Sequence, residues 1–290
     1  MDVKNERNDQ IVSIRTIQTK IQRWVKQGRG QGEGENYIPW FTAKQVSSIG
    51  KTFRPKGVKN GREHLFLSEW EYFYFLLLDW SDMVTDVREQ FPLLDSQLDN
   101  IEETIEIARI LDVEHPIEPS TNELKVITTD FLVKLVDGSE VAVSFKPFKK
   151  ITAREVEKME IERIYWERRG VIWELITDRD VPVTYAKNVE QVHSVYDLSK
   201  YQITESTIAK VKRLMDPQIM KRLRKLTDIT NEVDDKLGLL PGNSLTIARH
   251  LIITKKWIVN MEQPIDFNVP LQIIQIKASE EKEGLRSYAN

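Results

Sequence analysis

Apolar residues recur at helical spacing near the start of the chain, where Ile14, Ile17, Ile21, Trp24 and Val25 predict a helix ending near Lys26. A second helix is predicted to open in Leu67-Ser68-Glu69-Trp70-Glu71 and to run to about Asp79, with Tyr72, Phe73, Phe75, Leu76 and Leu77 apolar enough for a core. Val84 to Val87 reads as a short strand that passes into a loop at Arg88 to Leu93. Gln97 to Leu111 reads as a helix with Ile101, Ile105, Ala108 and Ile110 along one face. Two β-rich runs between Thr128 and Pro147 then flank an Asp-Gly turn signal, which predicts a hairpin. A charged helix from Arg154 to Arg169 and a buried strand from Val171 to Thr177 follow. Hairpin, helix and strand in that order predict a mixed sheet with helices against it, an α/β core.

The hairpin carries a carboxylate, Asp130, and an ammonium, Lys146, toward its open end. Side chains two apart on a strand share a face, so Ser144 and Lys146 point the same way. A two-residue loop at Asp137-Gly138 would set Asp130 opposite Phe145 and away from Lys146. An odd loop, Asp137-Gly138-Ser139 with a glycine-containing bulge, sets Asp130 opposite Lys146 on one face, and this is the register we expect. Taken alone, such an Asp/Lys pair is usually a surface salt bridge worth about 0–1 kcal/mol.

Beyond a boundary expected near Ala186 the pattern becomes mainly helical. Helices are predicted at about Ser206 to Met215, Pro217 to Leu237 and Ser244 to Thr254, and Trp257 to Asn260 pairs with Leu271 to Ile276 as two strands. Three helices and a β-ribbon is the order of a winged-helix module, whose third helix would offer Arg249, His250, Lys255 and Lys256 to DNA. A helical protein-docking domain has the same ingredients. The expected domains are therefore 1–186, catalytic, and 187–290, winged-helix-like and binding DNA or a partner. Residues from Ala278 on read as a solvated tail.

Composition narrows the chemistry. The 290 residues are 40% hydrophobic and 30% charged, as in an ordinary globular protein. No apolar run reaches the roughly 18 residues of a membrane span, and the polar N-terminus lacks a signal-peptide core, so a cytoplasmic protein is expected. The absence of cysteine removes disulfides and thiolate metal sites, and the four histidines (His64, His115, His193, His250) lack zinc-ligand spacing. Any metal should be a hard ion held by oxygen. The net charge of −3 argues against bulk electrostatic condensation on nucleic acid, but charge is segregated: Leu94 to Glu118 is acidic and Lys210 to Lys225 is basic.

Gly28-Arg29-Gly30-Gln31-Gly32-Glu33-Gly34 lacks the Gly-Lys-Ser/Thr ending of a phosphate cradle and follows a helix, so it is expected to be a flexible connection or a partner contact. Ser68 and Glu71 fit a capping box, in which Glu71 satisfies a backbone donor at the helix start. Glu71, Asp130 and Lys146 together offer two carboxylates and an ammonium with no thiol or histidine base. That set suits Mg²⁺-dependent phosphodiester hydrolysis, with Mn²⁺ as a substitute. The backbone carbonyl of Phe145 would add an oxygen ligand, and Lys146 would position or help deprotonate water, or stabilise the transition state.

An ordered set of stretches is similar to the TnsA family, the endonuclease subunit of heteromeric transposon-seven-type transposases. They are Gly28-Arg29-Gly30-Gln31-Gly32 with Tyr37-Ile38-Pro39-Trp40, Leu67-Ser68-Glu69-Trp70-Glu71, Asp86-Val87-Arg88-Glu89-Gln90-Phe91-Pro92-Leu93-Leu94, Thr129-Asp130-Phe131-Leu132-Val133, Lys146-Pro147, and Glu160-Ile161-Glu162-Arg163 with Tyr165-Trp166. The resemblance implies a restriction-endonuclease-like α/β fold followed by a winged-helix-like domain. It implies a metal-dependent nuclease that cuts the 5′ ends of a transposon, with Glu71, Asp130 and Lys146 at the catalytic positions. Its partners would be transposon-end DNA, a TnsB-like transposase that cuts the 3′ ends, and a TnsC-like ATPase regulator. Ser144 departs from the family pattern, which has glutamine there. A hydroxyl is a shorter and weaker metal ligand, so direct coordination by Ser144, water mediation and the Phe145 carbonyl stay open. Two other readings also stay open: a stand-alone restriction or repair nuclease, and a catalytically silent scaffold that binds DNA or the ATPase.

Overall fold

The computed structural model describes residues 17–41, 51–98, 100–118 and 122–277. The chain divides into two units, Met1–Val181 and Pro182–Asn290. The expected boundary at 186 falls inside a helix that begins just after Pro182. The predicted helical residues before 17 and the tail from Ala278 lie outside the described residues.

In the first unit, α1 occupies 17–26 and α2 Glu69–Trp80. The strand β1 (Val84–Pro92) follows, then α3 (Glu102–Ile110), the hairpin strands β2 (Thr128–Leu135) and β3 (Glu140–Phe145), α4 (Ala153–Glu167) and β4 (Ile172–Ile176). The sheet order is β1-β2-β3-β4, antiparallel up to β3 with β4 parallel to it. Alternation along β2 explains the layers. Phe131 meets Tyr74 of α2, ring centroids 5.4 Å apart, and Phe66 in the segment leading into that helix, at 5.7 Å. Its neighbour Leu132 points the other way, into a core with Ala142, Ile107 and Ala108 of α3, and Ile161, Tyr165 and Trp166 of α4. This is the expected mixed α/β sheet flanked by helices.

The hairpin loop has the expected odd length but is centred one residue earlier. Leu135 N–H donates to Ser139 O and Gly138 N–H to Leu135 O, so the loop is Val136-Asp137-Gly138, with Gly138 at φ +85° closing it. Lys134 opposes Glu140 and Phe131 opposes Val143, a register that sets Asp130 opposite Ser144 rather than Lys146. Because Ser144 and Lys146 share a face, Asp130 still lies on the lysine's face, one pair away.

Three further expectations change. The strand β1 continues through Pro92 instead of ending at Val87, because Arg88, Glu89 and Phe91 pair with Leu132, Phe131 and Thr129; their charges had suggested a loop. The helix α3 starts at Glu102, five residues later than predicted. The glycine-rich stretch is not a loose connection: Arg29 and Gln31 bridge to Ile38, Gly34 N–H donates to Asp86 Oδ2 at 2.8 Å, and Arg29 stacks on Trp24 and donates to Trp40 O.

The second unit comprises α5 (Val183–His193), α6 (Glu205–Met220), α7 (Leu226–Leu237), α8 (Asn243–Ile253) and an antiparallel ribbon of β5 (Trp257–Val259) and β6 (Ile273–Ile276). The helix α5 had not been predicted. Pro217 sits inside α6 rather than opening a new helix. It lies on the exposed side, where water can bond the carbonyl that proline leaves unpaired. Among the described residues no helix is long and apolar enough to cross a membrane.

Candidate active site

The open ends of β2 and β3, the start of α2 and the first turns of α4 line an open cleft of about 710 Å³. Glu71, Asp130 and Lys146 all face it, together with Gln90, Lys125, Arg154, Glu155, Lys158 and Glu162. The three residues singled out in the sequence are thus brought together by three separate elements.

Glu71 occupies the third position of α2. Its N–H donates to the Ser68 hydroxyl at 3.2 Å, and its Oε2 accepts from Leu67 N–H at 3.3 Å. The cap therefore orients the carboxylate without removing it from the cleft. Burial, then the nearby charge of Asp130, pushes Glu71 up to about 7, against a smaller downward pull from Lys146. Asp130 Oδ2 accepts from Phe145 N–H at 2.7 Å and its Oδ1 from Gln90 at 3.5 Å. Burial raises its pKa despite the opposing charge of Lys146. The Asp130 charge in turn raises Lys146, whose ammonium also lies 3.8 Å from Glu155.

The Ser144 hydroxyl does not enter the cleft as an independent group. It donates to Glu162 Oε2 at 2.5 Å, while Thr129 Oγ1 donates to Glu162 Oε1 at 2.7 Å and accepts from Trp166 Nε1 at 2.6 Å. Thr129 pairs with Phe91 across the ladder, next to Gln90, which takes a left-handed φ of +53°. Glu162 is buried and is pushed up to about 7, mainly by that burial. The sequence reading missed it as a site residue. Its signal was a carboxylate placed among the core positions Met159, Tyr165 and Trp166 of α4, where an unpaired charge would be costly.

The donors are all oxygen, as a hard cation requires. Among the described residues no group of three or more His, Cys, Asp or Glu is arranged to hold a metal. Glu71 and Asp130 bring two carboxylates to the cleft, and Mg²⁺ is a cation that takes one or two carboxylates and keeps several waters.

In the second unit, the residues expected to meet DNA are partly committed. Arg249 Nε donates to Gln191 O at 2.7 Å, and His250 Nδ1 lies 2.9 Å from Val195 O. The apolar side of α8, with Ile247, Ala248, Leu251 and Ile252, is buried. Lys212 is buried against Asp216 at 2.5 Å, whereas Lys210, Arg213, Lys221 and Lys225 are exposed.

Comparison with known proteins adds evidence of a different kind. The family model described as TnsA-like endonuclease N terminal matches residues 81–178, and the one described as TnsA endonuclease C terminal matches residues 180–261. The chain is 34% identical over 237 residues, 81% of its own length and 83% of the relative's, to the Transposon Tn7 transposition protein TnsA of Escherichia coli. With the β2–β3 hairpin and its cleft on the one side and this extent of likeness on the other, the chain belongs to the TnsA endonuclease family.

Proposed function

We propose that this chain is the endonuclease subunit of a cut-and-paste transposase, a Mg²⁺-dependent enzyme that cleaves the 5′ ends of its transposon. The observation that carries the proposal is the convergence of Glu71, Asp130 and Lys146 on one cleft. Glu71, Asp130 and the Phe145 carbonyl would hold the ion. When bound, it supplies Lewis acidity and neutralises charge on the phosphate.

The protein's own groups have separable tasks. The Phe145 N–H and Gln90 fix the Asp130 carboxylate at 2.7 and 3.5 Å, and the Ser68 cap fixes Glu71. Lys146, raised by the Asp130 charge, stays an ammonium at neutral pH. It is therefore suited to stabilise negative charge on the phosphate and to orient water, rather than to act as the base. Glu162 of α4, bonded to Ser144 of β3, lines the same cleft as the two carboxylates. The lysines and arginine of the rim, Lys125, Arg154 and Lys158, suit a phosphodiester backbone.

The same reading assigns the partners: transposon-end DNA, a TnsB-like transposase for the 3′ ends and a TnsC-like ATPase. The test is 5′-end nicking by the chain with these partners and Mg²⁺. Asp130→Ala should abolish it with the assembly intact. Undiminished nicking by D130A would leave a scaffold role, and metal-dependent cutting by the purified chain alone would favour a stand-alone nuclease.

A further inference from the structure

Immediately beyond Lys146 the chain turns through Pro147 into a short 3-10 turn, Phe148–Lys150. Phe148 is 44% exposed, and Lys149 and Lys150 are exposed beside it. A single apolar residue on a surface needs no explanation. This one differs in how it is held and in what lies behind it.

Phe148 N–H donates to Asp178 Oδ1 at 2.5 Å, and Lys146 N–H donates to Ile176 O at 3.0 Å. The turn is therefore tied to the end of β4 on both sides of Pro147. The guanidinium carbon of Arg179 lies 3.4 Å from the Phe148 ring centroid, covering part of the ring. An aromatic ring backed by an arginine and flanked by lysines is the combination by which proteins hold unpaired nucleotides: a base stacks on the ring while the cations follow the phosphates. Phe148 is two residues from Lys146, at most about 7 Å of extended chain. That is roughly two steps of a strand with one phosphate per ~3.4 Å of rise. Nothing in the phosphate-cleaving arrangement of Glu71, Asp130 and Lys146 requires this ring or Arg179.

We infer that Phe148, backed by Arg179 and flanked by Lys149 and Lys150, is a base-stacking platform for an unpaired nucleotide of the DNA strand beside the phosphate that Lys146 addresses. The inference rests on the nuclease reading above. It makes Phe148 a positioning residue that selects distorted or frayed DNA at the cut, without a part in bond breaking.

The test uses transposon-end DNA carrying 2-aminopurine in an unpaired position next to the cleavage site, with the full chain and its partner subunits, and chelator present to prevent cutting. Wild-type protein should quench the 2-aminopurine emission. Phe148→Ala should abolish the quenching and weaken binding of this DNA by roughly 5- to 150-fold, and Phe148→Tyr should restore both, which separates stacking from misfolding. If F148A quenches and binds like wild type while D130A still abolishes nicking, the platform is overturned and the nuclease reading stands. If D130A nicks normally, the nuclease reading fails on its own evidence and the platform falls with it.

Discussion

The Ser144 hydroxyl donates to Glu162 at 2.5 Å, joining the strand that carries Lys146 to the helix behind it. The serine thus holds a carboxylate of α4 against β3. That carboxylate is buried and pushed up to about 7. A carboxyl group with a folded value above its ordinary one binds its proton more tightly in the native state. Its contribution is fully present below about pH 4.5 and is lost as the pH rises through about 7. The expected loss is roughly 3–4 kcal/mol, at ~1.4 kcal/mol for each pH unit of the interval. Glu162→Gln should flatten this part of the stability curve, being more stable than wild type at pH 8 and similar at pH 4.5, while lowering nicking. Urea unfolding at the two pH values checks it, and parallel curves for both proteins would refute it.

Burial raises the proton affinity of both Glu71 and Asp130, the Asp130 charge raises that of Glu71 further, and a divalent cation would compete with those protons. Mg²⁺ should therefore raise the thermal midpoint more at pH 8 than at pH 6. Occupancy at about 100 times the dissociation constant stabilises by about 2.7 kcal/mol. The gain should vanish in Glu71→Gln and in Asp130→Asn. Equal protection of these variants and wild type in a thermal melt would place the ion elsewhere.

Much of the first unit was legible because its signals are local. The Asp-Gly turn, the Ser68 cap and the alternation of β2 each rest on neighbouring residues, and the parity of the hairpin followed from them. The exact centre of the loop did not, since Asp137 and Gly138 suit more than one odd loop. Glu162 was missed because its meaning is non-local: a glutamate on a charged helix looks solvated until the fold places Ser144 and Thr129 beside it. The strand β1 was cut short for the same reason. Arg88 and Glu89 read as loop charges, whereas in the fold Glu140 pairs with Arg88, and Arg62 and His64 pair with Glu89.

The glycine-rich stretch makes a steric prediction. Gly30 has φ +69°, and a Cβ there would lie 2.4 Å from Pro92 Cγ, at the end of β1. Gly34, at φ +57°, has nothing within 4 Å of its Cβ position. Gly34→Ala should cost about 1 kcal/mol for the left-handed backbone alone. Gly30→Ala should cost at least 1–3 kcal/mol more, because the rigid proline ring must move. Chemical denaturation of the two variants compares them directly, and equal losses would show that the approach to Pro92 is not what demands glycine.

A second buried charge network supports β1 from the side of α2. Glu89 accepts two bonds from Arg62, at 2.7 and 2.6 Å, and lies 2.9 Å from His64 Nδ1. Burial pushes this carboxyl upward, but His64 and Arg62 outweigh it and hold the group down at about 2. With the folded value below the ordinary one, its stabilisation is present above about pH 4.5 and is lost as the pH falls toward 2, the reverse of Glu162. Glu89→Gln removes the charge and leaves the Arg62 guanidinium, whose side chain is only 8% exposed, without its counter-ion. Breaking a buried pair in this way costs about 3–5 kcal/mol, whereas replacing both partners by apolar groups is often near neutral. The double substitution Arg62→Met with Glu89→Leu should therefore be closer to wild type in urea than E89Q alone. If the double variant is the weaker of the two, the ion pair stabilises β1 beyond the desolvation it incurs, and hydrophobic packing cannot replace it.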